Sequence, residues 1–219
     1  MKIKGAIFDL DGTLLESVHV WRQLDVDFLG KHGYETPGDY ADVISAMSFQ
    51  EAAEYTVQRF SLSATPTEVM EEWNQMAKDA YAKEVPLKQG TRRVLDWFAR
   101  QGIPMGVATS NISILYEPCL KRNGVYDYFE SFTETQEVGK GKEFPDIYIT
   151  ESKKLRCRPE ECLVFEDIIP ALKAARAGGF VSIGVWEPGW GYNRDEFEAC
   201  CDYGVDEIGA ALTLLNSLK

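Results

Sequence analysis

Two carboxylates, Asp9 and Asp11, close the apolar run Ile3 to Phe8 in the segment Asp9-Leu10-Asp11-Gly12-Thr13. Alternate side chains of a strand leave on the same face, so this pair converges on one point while Leu10 turns inward. Gly12 permits a tight turn and a close backbone approach. Two convergent carboxylates suit a hard cation such as magnesium, and an ionised carboxylate can also attack phosphorus in line to give an acyl phosphate. The second acid would protonate the leaving oxygen and later take a proton from water. A plain strand-end turn would use the same residue types. What separates the readings is whether partners for these acids exist elsewhere in the chain.

Two other predicted strands end in the same manner. Ile103 to Ala108 runs into Thr109-Ser110-Asn111, where hydroxyls and the free N–H groups of a following helix can hold phosphate oxygens. Helix N-capping is the competing role for Ser110. Glu161 to Phe165 runs into Glu166-Asp167, which with Asp9 would complete an oxygen-rich magnesium site. Acids at a helix N-terminus are favourable in any case, and that role is compatible with metal binding. Bringing Asp9, Asp11 and Asp167 together without a cation would cost roughly several kcal/mol by like-charge repulsion, so a cation is expected. The loop Val138-Gly139-Lys140-Gly141-Lys142 lacks P-loop spacing but offers a lysine that could reach the phosphate.

The elements that must position these residues follow from periodicity. From Leu87 the chain alternates helix and strand: a helix over Thr91 to Arg100 closed by Gly102, the strand to Ala108, and a helix through Arg122. A short strand around Phe129 to Phe132 follows, then a helix over Phe144 to Leu155, the strand to Phe165, a helix over Ala171 to Ala177, and a strand from Phe180 to Val185. This alternation predicts an α/β fold, a Rossmann-like parallel sheet covered by helices, with ligands beyond the C-terminal strand ends. Between Glu16 and Val85 the rhythm is helical only. Val18, Trp21, Leu24, Phe28 and Leu29 mark one face, and Ser48-Phe49-Gln50-Glu51 and Thr65-Pro66-Thr67-Glu68 read as capping boxes. The expected organisation is a core of residues 1–15 and 86–219 with an all-helical module, residues 16–85, inserted in it.

Composition bounds the partners. With 219 residues and 45% hydrophobic content the chain can bury a real core. A formal net charge of -12 argues against nucleic acid or an anionic membrane as partner. A phosphorylated substrate, itself an anion, requires a locally positive pocket. No apolar run is long enough to span a membrane, and Met1-Lys2-Ile3-Lys4 leads into a strand rather than a leader, so a cytoplasmic protein is expected. Cys119, Cys157, Cys162, Cys200 and Cys201 are expected as reduced packing residues. With His19 and His32 as the only histidines, a His/Cys zinc site is not expected. Oligomeric state has no signal in the sequence.

These residues together carry a family resemblance. The chain resembles the haloacid dehalogenase superfamily of phosphotransferases, in its phosphatase and phosphomutase branch, and is most similar to beta-phosphoglucomutase-like phosphatases. Asp9-Leu10-Asp11-Gly12-Thr13, Thr109-Ser110, Lys142 ahead of Pro145-Asp146, and Phe165-Glu166-Asp167 match the family's four motifs in order and spacing. The resemblance implies Asp9 as nucleophile and Asp11 as general acid/base. It further implies Mg2+ on Asp9, the Asp11 backbone carbonyl and Asp167, with Glu166 as a further ligand, and a phosphoryl group held by Thr109, Ser110 and Lys142. The inserted helices would be a mobile cap that selects a small phosphorylated substrate. The chain departs from the sugar-phosphate mutases, where Phe49 replaces a phosphate-binding Arg and Trp21 a cap-hinge His. Glu16 and Ile168-Ile169-Pro170 depart from family habit beside two motifs. Trp21, Met47 and Phe49 are candidate substrate contacts, although their helical spacing equally fits cap core. The expected activity is a magnesium-dependent phosphatase, with a mutase or a non-catalytic phosphoacceptor as alternatives.

Overall fold

The computed structural model describes residues 3–218, so Met1 and Lys2, expected to lead into the first strand, lie outside the described residues. Six parallel strands form one sheet in the order β3-β2-β1-β4-β5-β6. They are β1 (Gly5–Phe8), β2 (Met105–Thr109), β3 (Ser131–Glu134), β4 (Cys162–Glu166), β5 (Val181–Val185) and β6 (Tyr203–Val205). β1, β2 and β4 are buried along their whole length, as strands covered on both faces must be. The chain grows outward from β1 on one side and from β4 on the other, which places the switch in strand order between these two. Phe8 lies opposite both Val107 and Phe165 in register, and the Asp9 N–H continues the ladder to the Phe165 carbonyl at 3.0 Å. The polar residues after β1, β2 and β4 therefore emerge level with one another at the switch point, where open α/β sheets hold ligands.

Helices follow the amphipathic pattern. Between β1 and β2 lie α1 (Val18–Lys31), α2 (Tyr40–Ile44), α3 (Phe49–Phe60), α4 (Pro66–Lys83) and α5 (Thr91–Gln101). Beyond β2 come α6 (Ser113–Arg122), α7 (Thr135–Val138), α8 (Asp146–Lys154), α9 (Ile169–Ala177), α10 (Arg194–Cys200) and α11 (Ala211–Ser217). Both capping boxes form: Ser48 and Glu51 close the start of α3, and Thr65 and Glu68 that of α4, with Pro66 at its first position. α5 buries Thr91, Val94, Leu95 and Phe98 on one stripe. Phe98 meets Phe8 edge-on at 5.6 Å, and Phe8 stacks on Phe165 at 4.6 Å, so the floor of the switch point is packed aromatic side chains.

No described residue between Glu16 and Val85 is in a strand. The two segments that join α1–α4 to the sheet run side by side, with Leu15 bridged to Leu87 and the Glu16 N–H donating to the Pro86 carbonyl at 3.0 Å. The helices α7, α10 and α11 were not anticipated from the sequence, and neither were α2 and β6. α2 is a single helical turn or so, and β6 is a three-residue strand whose Tyr203 and Gly204 are exposed. One expectation is corrected: Cys157 and Cys162 form a disulfide, because the turn entering β4 returns the chain so that their Cα atoms stand 6.7 Å apart. Cys119, Cys200 and Cys201 are free and buried, as packing residues. Among the described residues no helix is long and apolar enough to cross a membrane.

Candidate active site

Asp9, Asp11, Thr109, Ser110, Lys142, Glu166 and Asp167 all line one cavity above the β1–β4 switch point. Ligand oxygens of Asp9, Glu166 and Asp167 lie within 4.8 Å of one another, and all three residues are buried. Lys142, rather than Lys140, enters this group. Its ammonium donates to Asp9 and, at 2.6 Å, to Glu166 Oε1, whereas Lys140 pairs with Asp146 at 2.9 Å on the surface. The Lys142 N–H donates to the Ala46 carbonyl at 2.6 Å, which ties the lysine loop to the segment before α3. Ser110 does not cap α6, whose N-cap is Ile112. The Ser110 hydroxyl is buried beside the cavity without a partner among the described residues. Thr109 Oγ1 accepts from the Asn111 N–H at 3.0 Å.

Asp11 stands apart from the three-carboxylate group and is held by donors. Ser17 Oγ reaches Oδ1 at 2.6 Å, the Tyr81 hydroxyl donates to the same oxygen, and Asn111 Nδ2 reaches Oδ2 at 2.9 Å. Tyr81 in turn accepts from Trp21 Nε1 at 2.6 Å. Burial and the Asp11 carboxylate push the Tyr81 phenol well above its ordinary value, so it remains a donor. The backbone below is equally constrained. Gly12 has φ +87, and a Cβ there would overlap the Asp167 carboxylate, so only glycine fits. Its carbonyl accepts from Lys88 Nζ at 2.8 Å, and Lys88 pairs with buried Glu187 at 2.5 Å.

Burial sets the electrostatics of the carboxylate group. Burial raises the Asp9 carboxyl well above the usual range; Lys142 opposes this, while Glu166, Asp167 and Asp11 add to it. Asp167 rises to about 7, from burial first and the Glu166 charge second, against a 2.5 Å hydrogen bond from Trp190 Nε1 and the charge of Lys142. Burial alone would lower Lys142, but the carboxylates of Asp9 and Glu166 outweigh it and hold the ammonium above its ordinary value. One lysine thus faces three buried carboxylates. Glu166 Oε1 accepts from Lys142 and, at 2.7 Å, from Tyr148, yet Oε2 is buried with no partner among the described residues. An all-oxygen donor set with excess negative charge and an orphaned carboxylate oxygen fits a hard divalent cation such as Mg2+.

The cavity extends upward from these groups into α1–α4, with a volume of about 130 Å³. Trp21, Met47 and Phe49 all line it, with Trp21 and Phe49 edge to face at 6.3 Å. Phe49 also packs on Trp73 at 5.5 Å, so these side chains are pocket wall and packing at once. Sequence reasoning did not single out Ser17, Tyr81, Asn111, Tyr148, Lys88 or Trp190. Asn111 adjoins Thr109-Ser110, and Trp190 lies in the loop after β5, so the strand-end rule applied to every strand would have flagged both. Tyr81 sits on a regular amphipathic helix and carries no local signal.

Residues 3–179 match the model of the haloacid dehalogenase-like hydrolases, and the chain belongs to that family. It is 28% identical to the bifunctional riboflavin kinase/FMN phosphatase of Arabidopsis thaliana over 82% of this chain, spanning only 47% of that protein. It is 25% identical to the fructose-1-phosphate phosphatase YqaB of Escherichia coli, over 83% of this chain and 95% of the relative. Its fold matches a beta-phosphoglucomutase crystal structure from Clostridium difficile with a TM-score of 0.83, at 18% identity, over 98% of this chain and 96% of the other.

Proposed function

We propose that this protein is a magnesium-dependent phosphatase that hydrolyses a small phosphorylated metabolite through an aspartyl-phosphate at Asp9. One observation carries the reading: residues at the C-terminal ends of three neighbouring strands, with Lys142, meet in one cavity over the switch point. Asp9, Glu166 and Asp167 would hold Mg2+, with the Asp11 backbone carbonyl as a further ligand. Bound there, the cation supplies charge neutralisation to phosphoryl oxygens and carboxylates. Lys142, Thr109 and Ser110 hold the remaining phosphoryl oxygens, and the unpartnered Ser110 hydroxyl supplies a free donor.

In the first step an Asp9 carboxylate oxygen forms a bond to phosphorus as the ester P–O bond breaks, and Asp11 gives its proton to the leaving oxygen. In the second, water attacks phosphorus, loses a proton to Asp11, and the Asp9–phosphorus bond breaks to release inorganic phosphate. Ser17, Tyr81 and Asn111 keep the Asp11 carboxyl aimed through both steps. Residues 16–85 act as a cap over a core of residues 1–15 and 86–219. The paired strands of chain at Leu15 and Leu87 are its hinge, and closure shields the reacting groups from bulk solvent while the attacking water is held beside Asp11. Hydrolysis is favoured over phosphomutation because aromatic Trp21 and Phe49 line the cap side of the cavity and the cation there, Arg22, stands beside the Asp25 carboxylate, which would repel a second phosphate. Phosphate release from a panel of sugar phosphates, phosphoglycolate and nucleoside monophosphates tests the reading. Wild type with Mg2+ is expected to release phosphate and Asp9→Asn to lose it; near wild-type release by Asp9→Asn would refute it.

A further inference from the structure

α1 carries its buried face on Val18, Leu24, Phe28 and Leu29, but the same face includes a charged residue, Asp25. Asp25 is 7% exposed and lines the cavity together with Trp21 and Arg22, one turn back on the same helix. Among the described residues its carboxylate has no hydrogen-bond donor and no ion-pair partner. Thr36 donates to its backbone carbonyl, not its side chain. The neighbouring Tyr40 hydroxyl is committed to Thr56 at 2.6 Å, because Thr56 itself donates to the Ala52 carbonyl at 2.7 Å. Arg22 is close enough to pull the carboxyl down electrostatically, yet burial dominates and raises it. Arg22 Nε is likewise buried without a partner, while its outer nitrogen leans to Asp42 at 3.7 Å. An acceptor and a donor are therefore both unsatisfied, side by side, in the cap wall of the cavity. Native proteins rarely leave such groups buried unless something else supplies the partner.

We infer that Asp25, with Arg22 beside it, is the specificity-determining element of the cap, accepting a hydrogen bond from a hydroxyl on the organic part of the phosphomonoester. A hydroxyl can donate to Asp25 and accept from Arg22 Nε together. An ammonium group would meet the charge of Arg22, and a second phosphate or a carboxylate would meet that of Asp25. The flat walls of Trp21, Phe49 and Trp73 suit the C–H faces of a carbon chain or ring carrying that hydroxyl. The assignment deepens the phosphatase reading above and rests on it for the position of the phosphate.

The test compares kcat/KM for a polyol monophosphate with that for an alkyl monophosphate of equal length without hydroxyls. Wild type is expected to prefer the hydroxylated compound by roughly 10- to 100-fold, a charge-assisted hydrogen bond's share of binding. Asp25→Leu should collapse that preference toward unity, and Asp25→Asn, which keeps an acceptor, should retain part of it. Affinities of both compounds measured by calorimetry in an Asp9→Asn background keep the two readings apart. No turnover with an Asp25-dependent binding preference would sink the phosphatase reading alone. Turnover with a preference that is absent, or unaltered in both Asp25 variants, would overturn the Asp25 assignment. Melting curves exclude an unfolded variant, and Asp25→Asn carries the decision if Asp25→Leu does not fold.

Discussion

Asp25→Asn should make the protein more stable at high pH, because a buried unpaired carboxylate is a cost that function alone explains. Burial, opposed by Arg22, raises the Asp25 carboxyl from 3.8 to about 7. The folded state therefore keeps a proton that the unfolded chain releases, and stability falls as pH rises between those two values. At about 1.36 kcal/mol per pH unit the penalty is absent below about pH 4, close to 2 kcal/mol at pH 5, and levels off near 4 kcal/mol above pH 7. The groups facing this carboxylate are Arg22 on its own helix and Tyr40 on α2. Tyr40 is pushed up beyond that window and stays neutral in it. Asn keeps the shape and removes the charge, and any cost of burying its amide is the same at every pH. The stability gain of the variant over wild type should thus grow by roughly 2–3 kcal/mol between pH 5 and pH 8. Urea unfolding of both proteins at the two pH values, without ligand, measures it. A gain that does not depend on pH, or a variant that is less stable by the same amount at both, would refute the reasoning.

Lys142→Met should abolish phosphate release and, without metal, destabilise the fold by roughly 3–5 kcal/mol, because the Asp9 and Glu166 carboxylates lose the cation they share. Denaturant midpoints with and without Mg2+ would show part of that loss recovered by the metal. Tyr81→Phe removes one of three donors from Asp11, and should lower kcat roughly 10- to 100-fold while changing KM little; an equal rise in KM would instead indicate a binding role. Gly12→Ala should be inactive, since the added methyl would meet Asp167, and circular dichroism would separate local damage from unfolding. Chelation of divalent metal should abolish turnover and readdition restore it; full activity after exhaustive chelation would contradict the metal assignment.

The sheet was legible because β1, β2 and β4 are fully buried runs ending in polar residues, and because capping boxes at Ser48 and Thr65 mark helix starts by local chemistry. Strand ends also exposed Asp9, Thr109 and Asp167 to view, since register, once parallel, carries them to one edge. What escaped depends on distance in sequence. Tyr81 reaches Asp11 across 70 residues and Trp190 reaches Asp167 across 23; neither contact leaves a periodic trace. Asp25 was hidden for another reason, as a charged residue on a helix ordinarily faces solvent. β6 is too short and too exposed for an alternating pattern to show. The Cys157–Cys162 bridge depends on the turn before β4 rather than on a spacing that signals pairing.

The central claim is that Asp9 carries the phosphoryl group. Rapid acid quench of wild type turning over a phosphomonoester with Mg2+, followed by peptide mass spectrometry, tests it directly. A single phosphoryl group on the peptide containing Asp9, lost in Asp9→Asn together with turnover, is predicted. Turnover with the phosphoryl group on another residue, or undiminished in Asp9→Asn, would contradict it.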